Sequence, residues 1–222
     1  MKTVPEQSLQ RFLDRARESG FAVAKNPDLW QSLARGGDWD LVANDVCGLS
    51  EVLVSECGPP DALLRRSYVW THYFAWGQID LLPNIQWRGL QIVSGAAVVQ
   101  EAQPVDGIPV ARPAHQVAAA CIYPLLAHRG FRPRYLELVD RALADDRVET
   151  ERMFIHCFGE FDEDVARTPA PGNLELQRLR RTFVKQRLRR GPMSAAAGFG
   201  AFVRTELAVR WTASQRRDGS RA

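Results

Sequence analysis

The chain has 222 residues, 45% apolar and 25% charged, with Gly and Pro at 29 positions. That composition excludes a disordered, collagenous or coiled-coil chain and fits one domain or a domain with an appended subdomain. Net charge is +3, but residues 172–222 carry 12 Arg/Lys against 3 Asp/Glu, whereas residues 1–171 carry 17 against 23. A basic C-terminal segment on an acidic body points to a polyanionic or protein partner.

No apolar run reaches the 18 or so residues of a membrane span, and MKTVPEQSLQRF has no apolar leader, so a cytoplasmic protein without a transmembrane segment is expected. Cys47, Cys57, Cys121 and Cys157 are scattered without disulfide or zinc spacing and read as reduced, mostly buried thiols. Of 29 cations only Lys2, Lys25 and Lys185 are lysines, which makes a lysine within the body informative.

In chain order, Leu9, Phe12, Leu13 and Ala16 recur at helical spacing and Gly20 follows as a stop. Phe21 to Ala24 reads as a buried strand ending at Lys25. Asn26-Pro27-Asp28 opens a helix faced by Leu29, Trp30 and Leu33, and Gly36-Gly37 breaks it. Asp38 to Ala43 is a second strand, and Leu49 to Cys57 a helix. Tyr68 to Trp76 is aromatic and β-branched, a strand leading through a Gly77-Gln78 turn into Ile79 to Leu82. Leu90 to Val93 is a strand. Ala96 to Gln100 and Ile108 to Ala111 are expected to pair across Asp106-Gly107. From Ala114 onward the pattern is helical, with Pro124 as a kink, helices around Tyr135 to Leu143 and Thr150 to Phe158, and a Pro169-Ala170-Pro171-Gly172 linker. Basic helices at about 173–190 and 194–213 precede a tail expected to be disordered. The class is α+β: a core over residues 1–112, a helical subdomain over 113–213, and a tail over 214–222.

The chemistry lies in Gly36-Gly37-Asp38-Trp39-Asp40-Leu41-Val42. On a strand Asp38 and Asp40 project from one face, and two such close carboxylates call for a cation between them. Oxygen ligands at this spacing suit Mg²⁺ or Mn²⁺ bound together with substrate phosphates. Asp80, in Ile79-Asp80-Leu81-Leu82, is a third acid in a core-like strand, costly there unless paired or metal-bound. Two acids from one strand and one from a neighbour form a phosphoryl-transfer site. Arg88, shortly after the third acid, is a candidate phosphate ligand. The four histidines have no metal-ligand spacing, and no nucleophile elbow or Walker sequence occurs.

These motifs resemble the nucleotidyltransferase superfamily with a DNA-polymerase-β-like core, and most of all bacterial nucleotidyltransferase-like proteins. The resemblance rests on Phe21-Ala-Val-Ala-Lys25-Asn26, on Gly37-Asp38-Trp39-Asp40-Leu41-Val42 and on Asp80, and covers about residues 20–145. It implies a small mixed sheet followed by an all-α half. It also implies transfer of a nucleoside monophosphate from a nucleoside triphosphate to a hydroxyl acceptor, with Asp38, Asp40 and Asp80 as catalytic metal ligands. The family's Gly-Ser at the helix start is replaced here by Lys25-Asn26. Phosphate contact then falls to Lys25, Asn26, Gly36, Gly37 and Arg88. Lys25→Met is expected to move stability by less than about 1 kcal/mol. The alternative implied by the missing Gly-Ser is an inactive module of this fold, binding nucleotide or a partner through its basic C-terminal helices.

Overall fold

The computed structural model describes residues 5–25, 38–128 and 130–219, with side chains as far as residue 206 in the last helix. The expected helix after Asn26 and the residues Asn26, Gly36 and Gly37 lie outside the described residues. The fold is α+β, with a mixed sheet in the N-terminal half and helices in the C-terminal half.

Helix α1 (Glu6–Ser19) buries Leu9, Phe12, Leu13 and Ala16 and ends at Gly20, whose φ of 67° favours glycine. It feeds β1 (Phe21–Lys25). Then come β2 (Asp38–Ala43) and α2 (Val46–Cys57), capped by Asp45, whose carboxylate accepts from Gly48 N at 2.9 Å. The strands β3 (Ala62–Arg66), β4 (Val69–Phe74) and β5 (Gly77–Leu82) form a meander, and β6 (Asn84–Trp87) pairs with β7 (Leu90–Ser94) as a separate ribbon. Helix α3 (Gly95–Gln100) and the hairpin β8 (Gln103–Val105) and β9 (Ile108–Val110) complete this half.

The main sheet runs β3-β4-β5-β2-β1-β9-β8. β2 pairs with β5 and β1 with β9 in parallel; the other neighbours are antiparallel. Alternation sends Trp39, Leu41, Ile79 and Leu81 to one face, where they pack with α1 and α2. Ala22, Ala24 and Val42 face the other side and join the larger core formed with the helical half. That core takes residues from both halves of the chain, so the sheet is packed on both faces.

The helical half begins with α4 (Pro113–Val117), widens into a π-helical turn over Ala118–Ile122, and continues as α5 (Tyr123–Ala127). The wide turn accommodates Pro124. Tyr123 N–H reaches back five residues to Ala118 O, and the next residue has no N–H to place. Helices α6 (Leu136–Asp145), α7 (Arg147–Phe158) and the short α8 (Glu163–Ala166) lead to the basic pair α9 (Asn173–Arg190) and α10 (Pro192–Gly219). α10 runs through residues read from the sequence as a tail from 214.

Three local readings are corrected. Gly77 opens β5 and pairs with Phe74; the turn is Ala75-Trp76, with the rings of Phe74 and Trp76 stacked at 4.5 Å. Residues 95–100 are a helix because Ser94 Oγ caps it, accepting from Ala97 N at 3.1 Å, so the strand pairing across Asp106-Gly107 is Gln103–Val105. Of the cysteines, Cys121 and Cys157 are buried, Cys57 is partly so and Cys47 is exposed.

Candidate metal centre

The acids meet because of strand register. Asp40 of β2 lies opposite Asp80 of β5, and Asp80 lies opposite Thr71 of β4. Asp38, two residues before Asp40 on the same face, lies opposite Gln78. Trp39 and Leu41, each fully buried in the α1–α2 core, lock the alternation that turns both aspartates the other way. Asp38, Asp40 and Asp80 each offer a carboxylate oxygen, and these oxygens lie within 4.8 Å of one another. They line a cleft of about 350 Å³ between the sheet and Ala119 and Tyr123 of the helical half.

Lys25 reaches the same cleft through an irregularity. Val23 pairs with Leu41, but Lys25 pairs with Asp40, so β1 carries one extra residue at this point. Without that bulge Lys25 would alternate onto the face of Val23 and Phe21; with it, the side chain turns to the acids. Lys25 Nζ is 2.6 Å from Asp40 Oδ2 and 3.8 Å from Asp38 Oδ2. Burial alone would lower the Lys25 pKa, but the Asp40 and Asp38 carboxylates outweigh it and raise it. Burial raises the Asp40 pKa, opposed by Lys25 and reinforced by Asp38. Asp80 is pushed up to about 6, chiefly by burial and then by the Asp40 carboxylate, with Thr71 and Gln78 acting against the shift. Gln78 Nε2 donates to Asp80 Oδ2 at 3.0 Å, whereas Asp80 Oδ1 is buried with no hydrogen-bond partner among the described residues.

Lys25 is therefore a counter-ion to an aspartate that is only 8% exposed, which raises the expected stability cost of replacing it. Arg88 is not brought to this cleft. It sits at the tip of the β6–β7 ribbon, φ 51°, with its guanidinium 4.9 Å from the Trp87 ring, and lines a different groove.

Two cleft residues escape the sequence reading. Arg66 and Tyr68 line the wall beside the acids and are both tied to Glu206 of α10. Tyr68 Oη donates to Glu206 Oε1 at 2.6 Å, and Arg66 Nε lies 3.5 Å from the same oxygen. Arg66 stands at the end of the short run Ala62–Arg66, which has no alternation, and Tyr68 opens the aromatic run read as a strand, with nothing local to link either to the acids. None of the four histidines lines the cleft. His72 is buried and shares a 2.8 Å hydrogen bond with Ser50 Oγ.

No family model matches the chain, and neither a curated protein nor a solved structure matches it.

Proposed function

We propose that the protein is a metal-dependent nucleotidyltransferase that moves a nucleoside monophosphate from a nucleoside triphosphate to a hydroxyl acceptor. The observation that carries this reading is the convergence of Asp38, Asp40 and Asp80, from two adjacent parallel strands, on one cleft. The donor set fits Mg²⁺ or Mn²⁺. It is all oxygen, Asp80 Oδ1 lacks a partner among the described residues, and burial of crowded carboxylates raises the pKa of both Asp40 and Asp80. A divalent cation would supply charge neutralisation between the carboxylates and the phosphate oxygens.

In this reading Asp38, Asp40 and Asp80 hold the metal. Asp80 also helps draw the proton from the acceptor hydroxyl, whose oxygen bonds to the α-phosphorus as pyrophosphate leaves. Arg66 faces the phosphates as the cleft cation that makes no ion pair with the three acids among the described residues, and Tyr68 shares its anchor on Glu206. Tyr123, half-buried on the opposite wall, helps exclude water.

The Lys25–Asp40 ion pair favours a second reading, since it already places a cation among the acids. In that reading the fold binds nucleotide or a partner without transferring anything, and the basic C-terminal helices are the docking surface.

Thermal melts with Mg²⁺ or Mn²⁺ and each of ATP, CTP, GTP and UTP test the first reading. Ligand at about 100 times its Kd adds roughly 2.7 kcal/mol of stability. The expected result is a shift that needs both metal and nucleotide and disappears in Asp38→Ala. A shift that persists in chelator and in Asp38→Ala supports the second reading; no shift with any pair removes the first.

A further inference from the structure

The charges of α9 are divided by face. Arg178 pairs with Glu160 at 2.9 Å. Arg180 donates from Nε to Leu126 O at 2.8 Å and also reaches His128 O, closing the end of α5. Arg187 lies against the Phe183 ring and donates to Cys157 Sγ at 3.8 Å. Arg190 contacts His156 Nδ1. The other three cations, Arg181, Lys185 and Arg189, are exposed and have no carboxylate within ion-pair distance among the described residues.

Those three recur at i, i+4 and i+8, stacked on one side of the helix about 6 Å apart. Like charges at this spacing repel and destabilise a helix unless an anion lies along them. Facing them across a groove of about 720 Å³ is Arg88. The Arg88-Gly89 turn has φ values of 51° and 77°, and Gly89 is packed so tightly on Gly198 of α10 that a Cβ there would lie 1.9 Å from Gly198 O. The turn is thus held at one position, and Arg88 with it. Val184 and Leu188 provide apolar patches between the cations, and among the described residues no aspartate or glutamate lines the groove.

We propose that this groove binds the sugar-phosphate backbone of a single-stranded nucleic acid. Charge complementarity demands a polyanion. A row of cations one helical turn apart, opposed by a fourth cation, suits a chain of repeating phosphates rather than one anion. The apolar patches between the cations give sugars and bases a place to lie, which favours a strand over the headgroups of a bilayer. The site shares no charged residue with the acid cleft, so binding needs neither metal nor Asp38. The strand between them, β6, contributes Gln86 to the cleft and Trp87 to the groove, which makes a nucleic acid held here a candidate acceptor for the reaction proposed above.

The test is fluorescence anisotropy of labelled 12-nucleotide RNA and DNA strands with the full chain, in chelator, over a range of salt. The triple variant Arg181→Gln/Lys185→Gln/Arg189→Gln is compared with the charge-matched Arg11→Gln/Arg147→Gln/Arg152→Gln. Wild type and control should bind alike. The groove variant should lose at least tenfold in affinity at about 0.1 M salt. Its slope of log K against log salt should shrink by about 2, at about 0.7 for each phosphate left without its cation. Its melting temperature should stay level or rise, because the repelling row is gone. The proposal is overturned if wild type binds neither strand. It is also overturned if the control loses as much as the groove variant, or if phosphatidylserine vesicles bind more tightly than either strand with the same dependence on the three residues. Because chelator is present throughout, binding can persist even if the metal-dependent reading fails.

Discussion

Lys25 is held between two carboxylates by one extra residue in β1, and its removal leaves Asp40 buried without a cation. Breaking a buried pair from one side costs about 3–5 kcal/mol, whereas replacing both members can be close to neutral. In metal-free buffer Lys25→Met should therefore be destabilised by an amount of that order, and Lys25→Met/Asp40→Asn should recover most of it. Chemical denaturation of the two variants checks this; a single variant as stable as wild type would show that Asp40 does not depend on Lys25.

Asp80 carries a pH signature of opposite sign to an ordinary ion-paired acid. Its folded-state pKa of about 6 lies above its unfolded value near 4, so the folded state holds the proton more tightly. The stability from that proton is fully present below about pH 4 and is lost as pH rises through about 6. In chelator, Asp80→Asn should therefore gain on wild type between pH 4 and 7, by at most about 3 kcal/mol. Denaturant melts at each pH read the difference. A gap that is constant with pH would refute the shift.

At this scale the sequence was legible in part. Strand periodicity is strict, so D-x-D and the acid of Ile-Asp-Leu-Leu revealed which side chains share a face. The bulge at Lys25 leaves no mark in Phe-Ala-Val-Ala-Lys, because an extra alanine in an apolar run looks like any other strand residue. Arg66 and Tyr68 depend on Glu206, about 140 residues away, a pairing that local pattern cannot encode.

Among elements, the contact between the β6–β7 ribbon and α10 is the tightest test of packing. A Cβ on Gly198 would lie 2.2 Å from Gly89 O, a backbone atom that cannot swing aside. A Cβ on Gly200 meets only the Arg204 side chain at 3.6 Å. Two glycines two residues apart in one helix should thus respond oppositely. Gly198→Ala should lose about 1–3 kcal/mol by overpacking. Gly200→Ala should be neutral or gain up to about 1 kcal/mol from helix propensity. Thermal melts with limited proteolysis of α10 distinguish them, and equal behaviour would mean the two backbones are not in contact. In Gly198-Phe199-Gly200 only the first glycine meets another backbone, that of the β6–β7 turn. Residues 95–100 carry a strand-like Val-Val that the Ser94 cap overrides, and β3 and β6 are too short to stand out.

For the whole molecule, the division of charge does not follow the division of labour that composition implies. Leu176, Leu179 and Phe183 of α9 are buried in the shared core, so the basic segment is both surface and scaffold. Removing residues 173–222 would open the core as well as the groove, and point substitutions on the exposed face are the way to separate the two. The sheet itself ends on one side in β3, with Arg65 and Arg66, and on the other in β8, three residues long with Pro104 at its centre, both poor templates for further strand addition.

The two faces of that sheet are covered at different times in the life of the chain. Helices α1 and α2, which cover one face, have left the ribosome by the time β5 appears. The opposite face, with Val42 and the aspartates, waits for partners as late as Phe183. At roughly 5–20 residues per second, synthesis from Leu82 to Phe183 takes on the order of 5–20 s. During that interval a half-covered sheet stands open, and the charged cluster of Lys25 and the three aspartates on that face, together with its blunted edges, works against association of nascent chains there.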